Sequence, residues 1–407
     1  MDERQSKRNV IAAAAAGGIG FTGFTLVMPF LPLYIAELGV SDVGEIAMWT
    51  GLSLGATPTV TAISAPLWGR VGDKYGTKIL VIRSLTAFIL TKAGMAFVTA
   101  PWQLFALRAL LGVFAGYGAL TISMAAQSVP RDRMARAIGA VQTGHRLGPA
   151  IGPVIGGLLA PLVGLRNSFL FAAAFYAVAM VLILVVYKDP PLQRAADQHR
   201  GGWEVFSGLM RLPGFVLALF VIFGLQTVDR SFGPVLPLFV AQVGVDAQRV
   251  PIVSGILFSL GAMSAAFGSQ LAARLLKYQS AQGVIVTGTA TAAVALATIV
   301  VAPTLWLVAA SMVVVGLAIG VATTSIYSVA GGLLPADAHA TGFGIMTTAS
   351  LMGLAISPVV AGFIGGSGLR YVFVADVALL MVLAVLVARK MRAASPAVSN
   401  DAPLADS

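Results

Sequence analysis

The sequence predicts an all-α membrane protein of about twelve transmembrane helices, arranged as two six-helix pseudo-repeats, and three observations carry that expectation. Of the 407 residues, 58% are hydrophobic and 10% charged, too little polar surface to coat a water-soluble globule of this size. Uncharged stretches at 9–36, 46–69 and 281–311, and 371–387 apart from Asp376, approach or exceed the roughly 20 apolar residues that cross a bilayer. Motifs of the first half recur in the second. Helices follow, because lipid offers backbone groups no other partner.

Read along the chain, the expected spans are 9–37, 45–69, 79–100, 102–128, 136–163, 166–187, 214–243, 250–273, 281–301, 304–332, 339–364 and 368–389. Arg4, Lys7 and Arg8 ahead of the first run resemble the start of a signal peptide. That run is too long and begins with small residues, so it reads as a retained first helix. With the amino terminus in the cytoplasm, the inside segments hold eighteen Lys and Arg and the outside loops three, Arg166, Arg249 and Arg370. That bias predicts both termini on the cytoplasmic side of the cell membrane. It also accounts for the formal net charge of +10 without a basic face for nucleic acid.

The expected organisation is a six-helix bundle over 1–187, a cytoplasmic linker over 188–213, a second bundle over 214–392 and a disordered tail over 393–407. The linker carries Pro190, Pro191 and a run of charges, then Trp203, Val205, Phe206, Leu209 and Met210 at the spacing of a short helix on the membrane surface. The second half repeats the first in register: PFLPLYIAELGV, with Pro29 and Pro32, returns as PVLPLFVAQVGV, with Pro234 and Pro237. At the same offset, Pro130, Asp132, Gly139, Gly148, Pro153 and Gly157 return as Pro335, Asp337, Gly344, Gly353, Pro358 and Gly362. Duplicated helices around a linker form the design in which a midplane site is exposed alternately to either side.

Two motifs carry a family resemblance. Between spans two and three, Gly69, Asp73, Lys74, Gly76 and Lys78 match the loop signature of the major facilitator superfamily. In span five, Gly139, Gly148, Gly152, Pro153, Gly156 and Gly157 match the spacing of its antiporter branches. With Arg108 in span four, the chain resembles the twelve-helix drug:proton antiporters over essentially its whole length. The resemblance implies the major facilitator fold, a gating role for the loop, a coupling role for Arg108, and proton-driven export of a hydrophobic small molecule or drug. Small residues in span five would let helices approach closely, and Pro153 would bend the helix. The copy in span eleven, with Ser357 and Ala361 in place of glycines, reads as packing.

Charges inside a bilayer are costly, so each intramembrane ionisable group is a candidate. Asp229, in span seven, is the first candidate proton carrier, since burial would favour its neutral acid; its neighbour Arg230 is expected on another helix face. His145, whose unperturbed range spans neutral pH, is a further coupling candidate. Asp376 reads as structural, and Arg83 and Lys92 as snorkelling. The first span has no acid before Glu37, so Phe24 and Met28, with Gln226 and Arg230, are expected to line a cavity for a neutral or weakly polar substrate.

One proton entering down about 100 mV supplies roughly 2.3 kcal/mol and one pH unit about 1.4, enough to drive one-for-one exchange of a neutral solute. The sequence has no phosphate-cradling Gly-Lys loop for ATP. With no cysteine and three scattered histidines, His145, His199 and His339, it offers neither a thiolate metal site nor a nucleophile cluster, so no enzyme activity, metal or cofactor is expected. The expected partners are a small-molecule substrate, protons and the lipid bilayer, with the chain a monomer. A proton-linked or facilitative nutrient transporter such as one for sugars, and a receptor or scaffold without flux, are the competing readings.

Overall fold

The computed structural model describes residues 3–189, 202–302, 304–335 and 338–391, with every side chain among them except those of 65–67, 69–70, 72–75, 131, 202–205, 213 and 339–340. Linker residues 190–201, including His199, and the tail 393–407 lie outside the described residues. So does the His339 side chain.

Among the described residues the secondary structure is helical throughout. The first half comprises α1 (Glu3–Thr25), α2 (Leu31–Glu37), α3 (Val43–Tyr75), α4 (Thr77–Met95), α5 (Pro101–Val113), α6 (Tyr117–Gln127), α7 (Met134–Val163) and α8 (Leu165–Val186). The short α9 (Gly202–Met210) follows, then α10 (Pro213–Gln242), α11 (Val250–Tyr278), α12 (Ala281–Val301), α13 (Leu305–Gly332), α14 (His339–Ser367) and α15 (Leu369–Lys390). Nine segments among the described residues are long and apolar enough to cross a membrane: α5 with α6, α7, α8, and α10 to α15. The α1–α2 pair, α3 and α4 complete twelve; α4 carries Lys78, Arg83 and Lys92 within 19 residues.

Two expected spans are broken where hydropathy alone makes them continuous. Between α1 and α2 the chain tightens to three-residue hydrogen bonds, Met28 N–H to Thr25 O at 3.0 Å and Phe30 N–H to Val27 O at 3.4 Å, around Pro29, which has no N–H to continue the ladder. The equivalent Pro234 and Pro237 sit inside an unbroken α10, so the prolines permit a break without dictating one. The second break separates α5 from α6 at Gly116, whose φ of 106° lies in the left-handed region. Its loosened carbonyls are taken up by side chains: Arg83 Nη2 donates to Phe114 O at 2.7 Å and Ala115 O at 3.3 Å, and Trp68 Nε1 donates to Val113 O at 2.6 Å. A cation at the C-terminal end of α5 also complements the helix dipole. Arg83 is therefore a cap for the break, stacked 3.5 Å above the Trp68 ring, and does not snorkel.

The halves meet through α3 against α14, α7 against α11, and α2 and α3 against α10. The α3–α14 seam is backbone on backbone: a side chain at Gly51 would meet the carbonyl of Pro358, and one at Gly362 would meet Ala47 and Met48. The α7–α11 seam repeats it, with Gly157 against Pro251 and Ile252, and Gly255 against Pro153 O. Both seams lie at one end of the bundle, where α3 and α11 start and α7 and α14 finish. At the other end the repeat-equivalent Gly139 and Gly344 have, among the described residues, no neighbouring atom within 4 Å of where a Cβ would stand. The two halves are closed on each other at the first end and splayed at the second, where α1 starts.

Candidate functional site

The gap between the halves is lined by faces that helical periodicity identifies. On α10, Gln226 is followed three and four residues on by Asp229 and Arg230, and these four and three residues on by Gly233, which abuts Leu54 of the opposite half. On α7, Gln142, Arg146, Pro153 and Gly157 share the face that ends on α11; Arg146 is exposed. On α1, Phe21 and Phe24 share a face, and Met28 follows in the break before α2, all three partly buried.

Glycine shape decides how α7 and α1 fit. Gly148, Gly152 and Gly156, each four residues after the last, accept the backbone of Phe21 to Leu26 with no room for a Cβ. One position round the helix, Gly157 serves the seam with α11. The six-residue motif thus packs α7 against two partners, one from each half, while Gly139 packs against neither. The helix runs unbroken through Pro149, Pro153 and Pro161. In span eleven the same layout holds with changed residues: Gly353 receives Phe223, Gln226 and Thr227 of α10, and Ser357 Oγ donates to Thr227 O.

His145 occupies a niche between α1, α6 and α7. Its ring centroid lies 4.5 Å from that of Phe21, a side chain at Gly17 would run into it, and one at Gly118 would press on Phe21 beside it. Thr121 Oγ1 lies 3.0 Å from His145 Nε2 and 2.9 Å from Gly118 O. The same hydroxyl lies 3.1 Å from Tyr117 O, and it pairs with Nε2 as donor or acceptor according to the ring's tautomer. The repeat equivalents of Phe21 and His145 are Gln226 and Ser350, where Gln226 Nε2 donates to Ser350 Oγ at 2.8 Å.

Asp229 differs from its expected setting in two ways. Its side chain is 38% exposed, and Arg230 Nε approaches Asp229 Oδ2 to 3.0 Å. Adjacent helix positions diverge by about 100°, yet the long arginine side chain bends back far enough for charge contact. The contact lacks the direction of a hydrogen bond, leaving Nε without a hydrogen-bond partner. Among the described residues the buried carboxylate is instead Asp376, 5% exposed, whose partner Ser231 carries no signal in the sequence.

Arg108 lies away from the gap, packed inside the first half at 3% exposure. Its Nε donates to Ser53 O at 2.6 Å, and Thr57 Oγ1 donates to Arg108 O at 2.8 Å, tying α5 to α3. Lys92 is 1% exposed with Nζ 5.9 Å from the Phe169 ring centroid, which overturns the expectation that it snorkels.

In the loop motif, the side chains of Gly69, Asp73 and Lys74 lie outside the described residues; their backbone forms the last turns of α3. Gly76 starts α4 with a φ of 87°. Lys78 Nζ donates to Tyr187 O at 2.6 Å, placing a cation on the C-terminal end of α8. Asn9 fastens the same corner, donating to Lys188 O at 2.7 Å and accepting from Lys188 N–H at 3.0 Å.

The sequence profile of the Major Facilitator Superfamily matches residues 13–282 and 277–406, which together cover nearly the whole chain. The chain belongs to the Major Facilitator Superfamily. Among its relatives, the multidrug resistance protein MdtG of Yersinia enterocolitica is 35% identical over 260 residues. That match covers 64% of this chain and 63% of MdtG, so the chain spans under two thirds of the length of that relative. A multi-drug resistance efflux pump PmrA homolog of Lactococcus lactis is 30% identical over 355 residues, 86% of each chain. In the fold, a bacterial homolog of the human lysosomal transporter Spinster superposes with a TM-score of 0.76 at 16% identity, over 95% of this chain and 97% of that one. As a Major Facilitator Superfamily member the chain is a multi-pass membrane protein.

Proposed function

We propose that this protein is a secondary active transporter that exports hydrophobic small molecules or drugs in exchange for protons, by alternating access, across the bacterial cytoplasmic membrane. The observation that carries the reading is the pairing of two equivalent glycine seams at one end of the bundle with a gap that opens at the other and holds Asp229. Halves joined by small-residue seams can part at one end and close at the other without repacking their cores. The drug-resistance names of the relatives agree with it.

In this reading both termini and the linker are cytoplasmic, so the gap opens inward, and the chain works as a monomer without nucleic acid, metal, cofactor or enzymatic chemistry. Substrate enters between Phe24 and Met28 on one side and Gln226 and Arg230 on the other, an apolar wall facing a polar one. Asp229 takes the proton, which releases Arg230. His145 hands changes at α7 to α1 through Phe21, and Arg108 couples α5 to α3 through Ser53. The loop of Gly69, Asp73, Lys74, Gly76 and Lys78 latches the inner end when it closes.

The test is transport of a lipophilic dye by purified protein in liposomes with an imposed pH gradient, comparing the native chain with Asp229→Asn and Arg108→Ala. Gradient-driven accumulation by the native chain, reduced at least tenfold in Asp229→Asn with binding intact, is the expected result. Accumulation that ignores the pH gradient in the native chain would replace antiport with facilitated diffusion, and undiminished coupling in Asp229→Asn would remove that carboxylate from the mechanism.

A further inference from the structure

On the side of α10 turned away from the gap, Ser231 faces Asp376 of α15. Both side chains are buried, at 2% and 5% exposure. Ser231 Oγ lies 2.5 Å from Asp376 Oδ2 and 2.9 Å from Val228 O. A serine hydroxyl has one hydrogen to donate, and a backbone carbonyl has none. With an ionised Asp376 the single hydrogen of Ser231 must serve both contacts, whereas a neutral Asp376 that donates to Ser231 gives each its own: the acid to Ser231 Oγ, and Ser231 to Val228 O.

The surroundings favour the same assignment. Three helices pack on α15: α10, α12 and α14. From α10 the charged residues are Asp229 and Arg230, and these contact each other. The α12 segment has no charged residue, and α14 has only His339, at its first position. On α15 itself Arg370, Arg389 and Lys390 stand near the ends, and Arg370 Nη1 donates to Val300 O at 2.8 Å. Aromatic rings close the neighbourhood, with Phe373 5.6 Å from Phe232 and 5.2 Å from Phe239 between centroids. An ionised carboxylate there would have no cation beside it.

We infer that Asp376, with Ser231, is a proton-binding site that is occupied in this conformation, open at the end where α1 starts, and that empties when the halves exchange ends. Its ligand is the proton itself, bound by a carboxylate oxygen behind α10, while Asp229 faces the gap in front. Movement of α10 against α15 separates Ser231 from Asp376 or admits water to it, and the acid then ionises. The occupied site stands on the hydrogen-bond geometry alone; the emptying step rests on the proposal of proton-coupled transport.

Infrared spectroscopy of the protein in lipid bilayers at neutral pH tests the first part. The expected result is a carboxylic-acid C=O stretching band that Asp376→Asn abolishes and Asp229→Asn retains. In Ser231→Ala the band should shift to higher frequency as the acid loses its acceptor, which also serves if Asp376→Asn fails to fold. No such band in the native protein, or one indifferent to both Asp376→Asn and Ser231→Ala, overturns the assignment. For the second part, Asp376→Asn or Ser231→Ala in liposomes should retain dye exchange down its own gradient and lose at least tenfold of pH-driven accumulation. Full pH-driven accumulation in a variant whose band is lost or shifted overturns the emptying step. Native protein with the band but without any pH-driven transport overturns the proposed function and leaves the proton site standing.

Discussion

At positions 21 and 145 the first half stacks a phenylalanine on a histidine; at the equivalent positions, 226 and 350, the second half hydrogen-bonds a glutamine to a serine. The backbones that carry these pairs pack alike, Gly148 receiving Phe21 and Thr22 as Gly353 receives Gln226 and Thr227. The difference extends to the ionisable groups. Among the described residues, the buried Lys, Arg, Asp and Glu side chains of the first half's helices are the basic Lys92 and Arg108, while in the second the buried Asp or Glu is Asp376. Duplication has kept the shape of the interface and let the chemistry of the two interiors diverge. The divergence suits the proposed exchange of two unlike cargoes, in which one half changes its affinity for a proton while the other presents an apolar wall.

The sharpest way to break this comparison is at the point where the packing itself has diverged. A side chain at Gly156 would run into the Leu26 carbonyl of α1, whereas the equivalent residue of α14 is Ala361, which already has its Cβ and is buried at 3% exposure. Gly156→Ala is expected to cost stability at the upper end of the roughly 1–3 kcal/mol typical of overpacking, because backbone cannot swing aside as a side chain can. Ala361→Gly should cost about 0.5–1 kcal/mol, the helix penalty of glycine. Unfolding midpoints in detergent measure both; equal losses at the two positions would mean that the packing of α1 and α10 has not diverged there.

The contrast between Gly156 and Ala361 also marks how far the sequence is legible. The constant offset between the halves and the glycine spacing identify the repeat and the tight face of span five, because close approach of helices leaves a signature in side-chain size. The splitting of that face between α1 and α11, with Gly139 on neither, is not legible, since spacing gives a stripe and not its partners. The breaks at Pro29 and Gly116 escape a local reading for a related reason: at Gly116 the freed carbonyls are satisfied by Arg83 and Trp68, which arrive from elsewhere in the chain. The carboxylates are misjudged in the same way. Sequence alone expects Asp229 to be buried and reads Asp376 as structural; the buried acid among the described residues is Asp376, with Asp229 38% exposed, and the partner of Asp376, Ser231, is a residue type too common to stand out. Arg230 is expected on another face because periodicity describes Cβ directions and not the reach of a long side chain.

Arg83 offers the next test, of intermediate size. Only the first half breaks its fourth span; the corresponding α13 runs unbroken from Leu305 to Gly332, and the position matching Arg83 is Gly288 of α12. Arg83→Ala should leave the carbonyls of Phe114 and Ala115 without their donor and lower stability by about 1–2 kcal/mol, the scale of an orphaned buried acceptor. Arg83→Lys should recover only part, since one ammonium cannot reproduce the planar stack on Trp68. An unchanged unfolding midpoint in Arg83→Ala would show that Gly116 holds the break unaided.

The smallest expected effect lies at the open end, again in the first half alone. Arg133 Nη1 donates to Glu3 Oε1 at 2.8 Å, with Lys7 Nζ 3.6 Å from the same oxygen; in the second half the positions matching Glu3 and Arg133 are Gly208 and Ala338. The hydrogen bond from Arg133, followed by the charge of Lys7, lowers the Glu3 pKa from 4.5. A carboxylate with a depressed folded value adds its stabilisation above the unfolded pKa and loses it as pH falls through the folded one. All three groups are solvent-exposed and screened by salt. Native protein and Glu3→Gln should therefore differ slightly in unfolding midpoint at neutral pH and low salt, and converge both on acidification below the ordinary carboxylate range and on raising ionic strength. A difference that persists in acid or in high salt would mean that Glu3 holds α1 against the turn before α7 by packing and not by charge, and the asymmetry at this end would then be one of shape, as it is at Gly156.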